Sequence, residues 1–201
     1  MRSYIGLGAN VGDAAATIGS AVHVLAALPG CRLVGVSRLF ATAPVGGIEQ
    51  PEFRNAVVAL DVPAGSDPAA GALALLVALK GLERAFGRLE RERWGPRELD
   101  LDLLVFGRAL LSIDRSKAAR SLDADVVPAK AARLLAVPHR EAHERLFVLA
   151  PLADLAPRLV PPGWRETVEG ARRRREAVEG PAVVRPVDRW DPVDGRWARL
   201  A

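Results

Sequence analysis

The sequence predicts one α+β domain built on a mostly antiparallel sheet. Short apolar runs with strand-like alternation recur at residues 4–7, 32–39, 53–60 and 99–106. Two longer stretches, 14–28 and 68–86, carry their apolar residues at helical spacing instead. Read in order they give strand, helix, strand, strand, helix, strand, and two consecutive strands between helices favour antiparallel pairing.

Each element has a local reason. The run at 4–7 follows a polar start and ends in glycines, as a strand entering a turn does. Asp13 can cap the helix that follows, and Pro29-Gly30 stops it. Leu33, Val34, Val36 and Leu39 mark the second strand, and the Gly- and Pro-rich residues 42–51 read as a long loop before the third. Pro68 opens the second helix, whose core stripe is expected at Leu75, Leu79, Leu82 and Phe86, away from Lys80 and Glu83. A charged loop at 87–96 precedes the strand at 99–106. This is the split βαβ, ferredoxin-like order, βαββαβ, with the helices expected on one face of the sheet.

Residues 108–135 are polar and weakly patterned, so an insertion near 112–133 is expected as a helical or mobile excursion. Apolar periodicity returns at 137–159, and Pro161-Pro162-Gly163 marks a boundary. The expected division is a domain over 1–163 and a C-terminal extension over 164–201, with an Arg-rich helix at 165–179. Its tail repeats Pro-Val-Asp at 186–188 and 192–194, and disorder is favoured there over a small hairpin.

Composition narrows the function classes. A chain of 201 residues can bury one good core. Only Lys80, Lys117 and Lys130 are lysines among 28 basic residues, an arginine excess that runs through the whole chain. The net charge of +4 suits an anionic substrate without demanding nucleic acid. One cysteine, Cys31, rules out an internal disulfide framework and fits a reducing cytoplasm. No apolar run reaches the 18 or so residues of a membrane span, and the N-terminus has no secretory pattern.

The sharpest chemical signal is Arg93-Trp94-Gly95-Pro96-Arg97 leading into Leu99-Asp100-Leu101-Asp102-Leu103. On a strand Asp100 and Asp102 share one face, while Leu99, Leu101, Leu103 and Val105 take the other. Neighbouring carboxylates repel unless a cation lies between them, and hard oxygen ligands so placed suit Mg²⁺ with phosphates completing its shell. Arg93 and Arg97 fit phosphate oxygens; the alternative is a solvated edge strand. Arg88 and Arg91 extend a run that, with Glu90, Glu92 and Glu98 interleaved, would alone be a solvated basic loop. Phe53 and Asn55 share a strand face and could clamp a flat heterocycle, or could be core and strand-end residues. His139 after Val137-Pro138, near Arg145 and Phe147, is a weaker cluster. Gly6-Leu7-Gly8-Ala9-Asn10-Val11-Gly12 fails the dinucleotide-binding spacing because Val11 stands where a glycine is required.

Taken together and in order, these pieces resemble the 6-hydroxymethyl-7,8-dihydropterin pyrophosphokinase family. The matching residues run from Tyr4–Asn10 through Thr42-Ala43-Pro44, Gln50-Pro51, Phe53, Asn55, Glu83 and Gly87-Arg88. They continue with Arg93–Arg97, Asp100, Asp102, Val137-Pro138-His139, Glu144-Arg145, Phe147 and Pro151-Leu152. The resemblance covers residues 3–107 and 134–160. It implies a ferredoxin-like fold and transfer of pyrophosphate from ATP to the pterin hydroxymethyl group, with release of AMP, in folate synthesis.

The resemblance also implies roles. Asp100 and Asp102 would bind two Mg²⁺ ions bridging the ATP phosphates, with Arg88 and Arg97 beside them during transfer. Phe53 and Phe147 would sandwich the pterin and Asn55 would read its edge, with Thr42, Ala43, Val45, Trp94 and Asp100 lining that side. Lys80, Glu83, Arg88, Arg93, Trp94, Arg97, Leu103, His139 and Arg145 would gather around ATP. The chain departs from the family at Lys80, where a glutamine is usual, at Glu90, where a second arginine is usual, and in the length of the stretch around 112–133. The expected protein is a cytoplasmic monomer with ATP and the pterin alcohol as its partners. The loops at 42–52 and 87–95 are expected to close over both. Two competing readings are a weakly active pterin- or nucleotide-binding relative, on Lys80 and Glu90, and a basic nucleic-acid-associated protein, on Arg172–Arg175 and a pI near 9.9.

Overall fold

The structure is a computed structural model that describes residues 1–44, 50–63, 65, 67–87, 96–115 and 132–200. Among the described residues, nine strands and four α-helices follow one another as β1 (Arg2–Ala9), α1 (Ala14–Ala26), β2 (Arg32–Val36), β3 (Leu39–Thr42), β4 (Phe53–Asp61), α2 (Pro68–Ala85) and β5 (Asp100–Phe106). Then come β6 (Leu111–Asp114), β7 (Arg133–Val137), α3 (Leu146–Leu155), α4 (Val168–Glu179), β8 (Val184–Asp191) and β9 (Arg196–Arg199). The main sheet runs β5-β1-β4-β3-β8-β9, with β2 also on β4, and each of these pairings is antiparallel. The α+β, antiparallel expectation holds.

Alternation along the central strands assigns the two faces of the sheet. Ile5, Leu7, Ala56, Val58, Leu60, Leu101 and Leu103 bury against α1 and α2. Asp13 starts α1 by accepting from the Ala16 N–H at 3.0 Å, and Asp67 starts α2 by accepting from Ala69 at 2.9 Å, ahead of Pro68 in the first turn. The two helices of the βαββαβ unit therefore lie on one face. The opposite face is covered as well: Tyr4, Val57, Ala59, Leu104 and Val105 pack against Leu149 and Leu152 of α3 and Ala171 of α4. Leu149 and Leu152 are wholly buried, and each such side chain contributes about 1.5–3 kcal/mol.

Several local expectations are corrected. The strand expected at 32–39 is two strands, because Ser37 leaves the ladder: its hydroxyl accepts from the Val57 N–H at 2.9 Å, and Arg38 turns to pair with Asp154. Val105 does not share a face with Leu101. The β1–β5 register slips between Tyr4 and Ile5, so Leu104 and Val105 both face α3 and Phe106 returns to the first core. At α2, Leu82 and Phe86 pack partly buried against the core of Leu75 and Leu79 as expected, but Glu83, expected away from it, is buried too. The excursion after residue 108 begins and ends in a β6–β7 ladder, while 116–131 lie outside the described residues.

The tail is a hairpin, not disorder. β8 adds to the edge of β3, and β9 folds back on it so that Trp190 and Trp197 meet edge to face, 5.0 Å between centroids, beside His23 of α1. A strand edge more than 140 residues upstream supplies the hydrogen bonds that this polar segment lacks locally.

Candidate active site

Register places the site. Gly8 of β1 stands opposite Asp100 of β5 on one side and Asn55 of β4 on the other, and Gly6 stands between Asp102 and Val57. Asp100, Gly8 and Asn55 thus form one row across three strands. A Cβ on Gly8 would sit 3.4 Å from Asn55 Oδ1, and one on Gly6 would meet Leu104 at 3.4 Å. Two glycines leave this strip of sheet bare, and it becomes the floor of a cavity of about 600 Å³.

The walls come from separate parts of the chain. Asn55 is buried and donates from Nδ2 to Thr42 Oγ1 at 2.8 Å, which orients the amide over the floor. Thr42, Ala43 and Phe53 close the β3–β4 side, and Phe147 at the start of α3 closes the roof. Arg97, Asp100, Asp102 and Arg145 line the same cavity. The Arg145 guanidinium lies 5.6 Å from the centroid of Phe147 and pairs with Glu141.

Of the residues expected around ATP, three lie elsewhere. Leu103 is buried in the opposite core. Glu83, also buried, accepts from the Leu101 N–H and from Lys80 Nζ, both at 2.7 Å, and Lys80 donates to Leu101 O at 3.1 Å. This pair holds the backbone of the residue between the two aspartates. His139 sits beside the carboxylates, its backbone N–H donating to Leu104 O at 2.9 Å. Burial pushes its imidazole below the ordinary value, with Arg145 and Lys80 adding to the effect and Asp102 and Asp100 opposing it. Its Nδ1 accepts from the Glu141 N–H at 3.3 Å, which leaves Nε2 as the donor. Val45, Arg88, Arg93 and Trp94 lie outside the described residues, as do most of the two loops expected to close.

The donor set suits magnesium. Among the described residues no group of three or more His, Cys, Asp or Glu side chains is gathered for a metal. Two carboxylates on one strand face, with a glycine opposite each, leave most of a hard cation's shell to water and phosphate oxygens, as Mg²⁺ prefers.

Several cavity residues escaped the sequence reading. Gly6 and Gly8 carry no weight as a dinucleotide motif, yet their spacing of two beside a predicted strand is the signature of a bare strand face. Glu144, already among the residues that carry the resemblance, also lines the cavity, as do Arg175 and Glu179 of α4. No local pattern distinguishes them from the helix's other Arg–Glu pairs. The run Arg172–Arg175 presents no open basic face: its members pair with Glu169, Glu176, Glu166, Glu144 and Glu179.

On this α+β sheet, oxygen ligands and guanidinium groups at one end of a cavity, with an amide and phenyl rings at the other, give the chemistry of a nucleotide-dependent transferase. The model of the 7,8-dihydro-6-hydroxymethylpterin-pyrophosphokinase family matches residues 4–157. Among curated relatives, the 2-amino-4-hydroxy-6-hydroxymethyldihydropteridine pyrophosphokinase of Methylorubrum extorquens is 40% identical over 173 residues, 85% of this chain and 90% of that protein. The Pseudomonas aeruginosa enzyme of the same name is 40% identical over 168 residues, 84% and 88% respectively. The Bacillus subtilis one is 33% identical over 153 residues, 76% and 77%. The wild-type HPPK-DHPS of Plasmodium falciparum with pteroate superposes with a TM-score of 0.68 at 15% identity, over 99% of this chain and 47% of that one. The chain thus spans about half the length of that solved structure, and the likeness shows the fold. The chain belongs to the 7,8-dihydro-6-hydroxymethylpterin-pyrophosphokinase family.

Proposed function

We propose that this chain transfers pyrophosphate from ATP to 6-hydroxymethyl-7,8-dihydropterin, releasing AMP, in the cavity floored by Gly6 and Gly8. The observation that carries the site assignment is the row Asp100–Gly8–Asn55, which sets a carboxylate pair and a ring-reading amide on one strip of sheet with nothing between them. Phe53 and Phe147 hold the ring faces of the pterin, and Asn55, oriented by Thr42, bonds its edge. This aims the hydroxymethyl oxygen along the floor toward the carboxylates.

Asp100 and Asp102 would hold two magnesium ions, which would supply charge neutralisation to the triphosphate. Arg97 and Arg145 add guanidinium donors to the phosphate oxygens, and Arg145 leaves Glu141 to do so. The alcohol oxygen forms a bond to the β-phosphorus as the bond from that phosphorus to the α,β-bridging oxygen breaks; AMP carries that oxygen away, and the alcohol proton is lost to water. His139, neutral and donating from Nε2, bonds the nucleotide without adding charge. Lys80 and Glu83 act through Leu101, fixing the strand between the two aspartates. A monomer working in the cytoplasm, where ATP is at hand, completes the reading.

The test is AMP release from ATP, measured with and without the hydroxymethyl-dihydropterin. Release that depends on the pterin and on magnesium supports the reading. Pterin-independent release, or none, overturns it.

A further inference from the structure

Asn10 follows the last residue of β1, is buried (2% exposed), and has no role in the chemistry above. It uses its polar atoms on two other segments. Its backbone N–H donates to Arg97 O at 2.9 Å, and its side-chain Oδ1 accepts from the Arg97 N–H at 2.7 Å. Its Nδ2 donates to Gln50 Oε1 at 3.0 Å and to Pro51 O at 3.1 Å. The amide orientation follows from chemistry: a backbone N–H can only donate, so it faces Oδ1, and a carbonyl can only accept, so it faces Nδ2.

The segments so joined carry opposite ends of the cavity. Arg97 lines the end with the carboxylates, and Gln50-Pro51 lead within a few residues into Phe53 and Asn55. Beyond Gly8↔Asp100 the β1–β5 ladder has ended, and Asn10 replaces the missing rung with one backbone and one side-chain bond to Arg97. Its remaining donors reach across the end of β1 to the approach to β4. Only a side chain with an acceptor and two donors on one carbon can serve both directions.

We propose that Asn10 is a positioning residue that sets Arg97 and the pterin clamp of Phe53 and Asn55 in register with each other, one half of its amide serving each substrate. This rests on the site assignment above. Isosteric replacement separates the halves. In Asn10→Asp the acceptor for the Arg97 N–H survives, while a carboxylate oxygen now faces Gln50 Oε1 and Pro51 O. In Asn10→Ala both halves are lost, and in Gln50→Ala the Pro51 carbonyl still takes an amide proton.

The experiment is steady-state AMP release with each substrate varied in turn, alongside thermal unfolding of each variant. Asn10→Asp should raise KM for the pterin about tenfold and leave KM for ATP within about twofold. Asn10→Ala should raise both and lower kcat about tenfold or more, and Gln50→Ala should shift only the pterin KM, by about threefold. If Asn10→Ala does not fold, the other two variants carry the test. Equal changes in both KM values for Asn10→Asp, or a lowered melting temperature with kinetics unchanged, would overturn the proposal and leave Asn10 a purely structural residue. Asp100→Ala runs beside them: activity retained in that variant would sink the site assignment itself, whatever Asn10 does.

Discussion

The two faces of β5 treat a carboxylate in opposite ways. On one, Asp100 and Asp102 stand half-buried above glycines, facing a cavity that three guanidinium groups also line. On the other, Leu101 packs into the core and Glu83 comes up from α2, buried, with its charge taken by Lys80 and the Leu101 N–H. A carboxylate that lines a cavity can take up ligand chemistry. An ion whose acceptor sites are filled from within the chain is part of the scaffold. One strand carries both because successive side chains leave it in opposite directions.

Substitutions on each face sharpen that contrast. If the proposed roles hold, Asp100→Ala or Asp102→Ala should lower turnover about a thousandfold or more at saturating magnesium, since losing a metal ligand would remove charge compensation from the phosphates. Urea unfolding of either variant should stay within about 1 kcal/mol of the parent, because neither carboxylate supports the core. A large stability loss there would erase the distinction between the faces.

Glu83→Ala should do the reverse. Removing a buried partner leaves Lys80 and the Leu101 N–H without their acceptor, and about 3 kcal/mol of stability should go, read from the shift in urea midpoint. Glu83→Gln keeps an acceptor and should lose less. If Glu83→Ala were as stable as the parent yet inactive, Glu83 would belong with the substrate-facing residues instead.

Phe147→Ala probes the far end of the functional face. Calorimetry should show pterin affinity down about tenfold, the value of a lost ring contact, with ATP-analogue affinity little changed. Comparable losses for both ligands would mean that the ring serves the nucleotide as well.

The smallest effect concerns a third kind of carboxylate, at the surface. Arg172 and Arg173 beside Glu169 hold its carboxyl down to about 2, below the usual glutamate range. A lowered folded-state value means stability that is present above the ordinary value of about 4.3 and is lost as the pH falls from there toward about 2. Glu169 lies near solvent, so screening keeps the loss under about 1 kcal/mol. Thermal melts of Glu169→Gln and the parent should differ at pH 6 and converge near pH 2. A constant difference across that range would show that the arginines do not set the carboxyl's affinity for protons.

Much of the scaffold was legible in the sequence, and the reason is local. Strand alternation, the Asp13 cap, Pro68 at the start of α2 and the spacing of Asp100 and Asp102 depend on residues within a turn or two of each other, so the sequence determines them alone. So does the sharing of a strand face by Phe53 and Asn55. Tertiary structure decided what those faces meet. The burial of Glu83 follows from the Leu101 N–H lying opposite it, and the role of Gly6 and Gly8 from neighbours on two flanking strands. Where β1 slips against β5, Val105 changes face, and no alternation pattern contains that slip. The hairpin of β8 and β9 has too little apolar surface of its own and forms on the open edge of β3, while α4 meets the cavity only because α3 lies against it. Contacts between residues more than a hundred positions apart depend on the assembled sheet, and a reading of neighbours along the chain has no access to them.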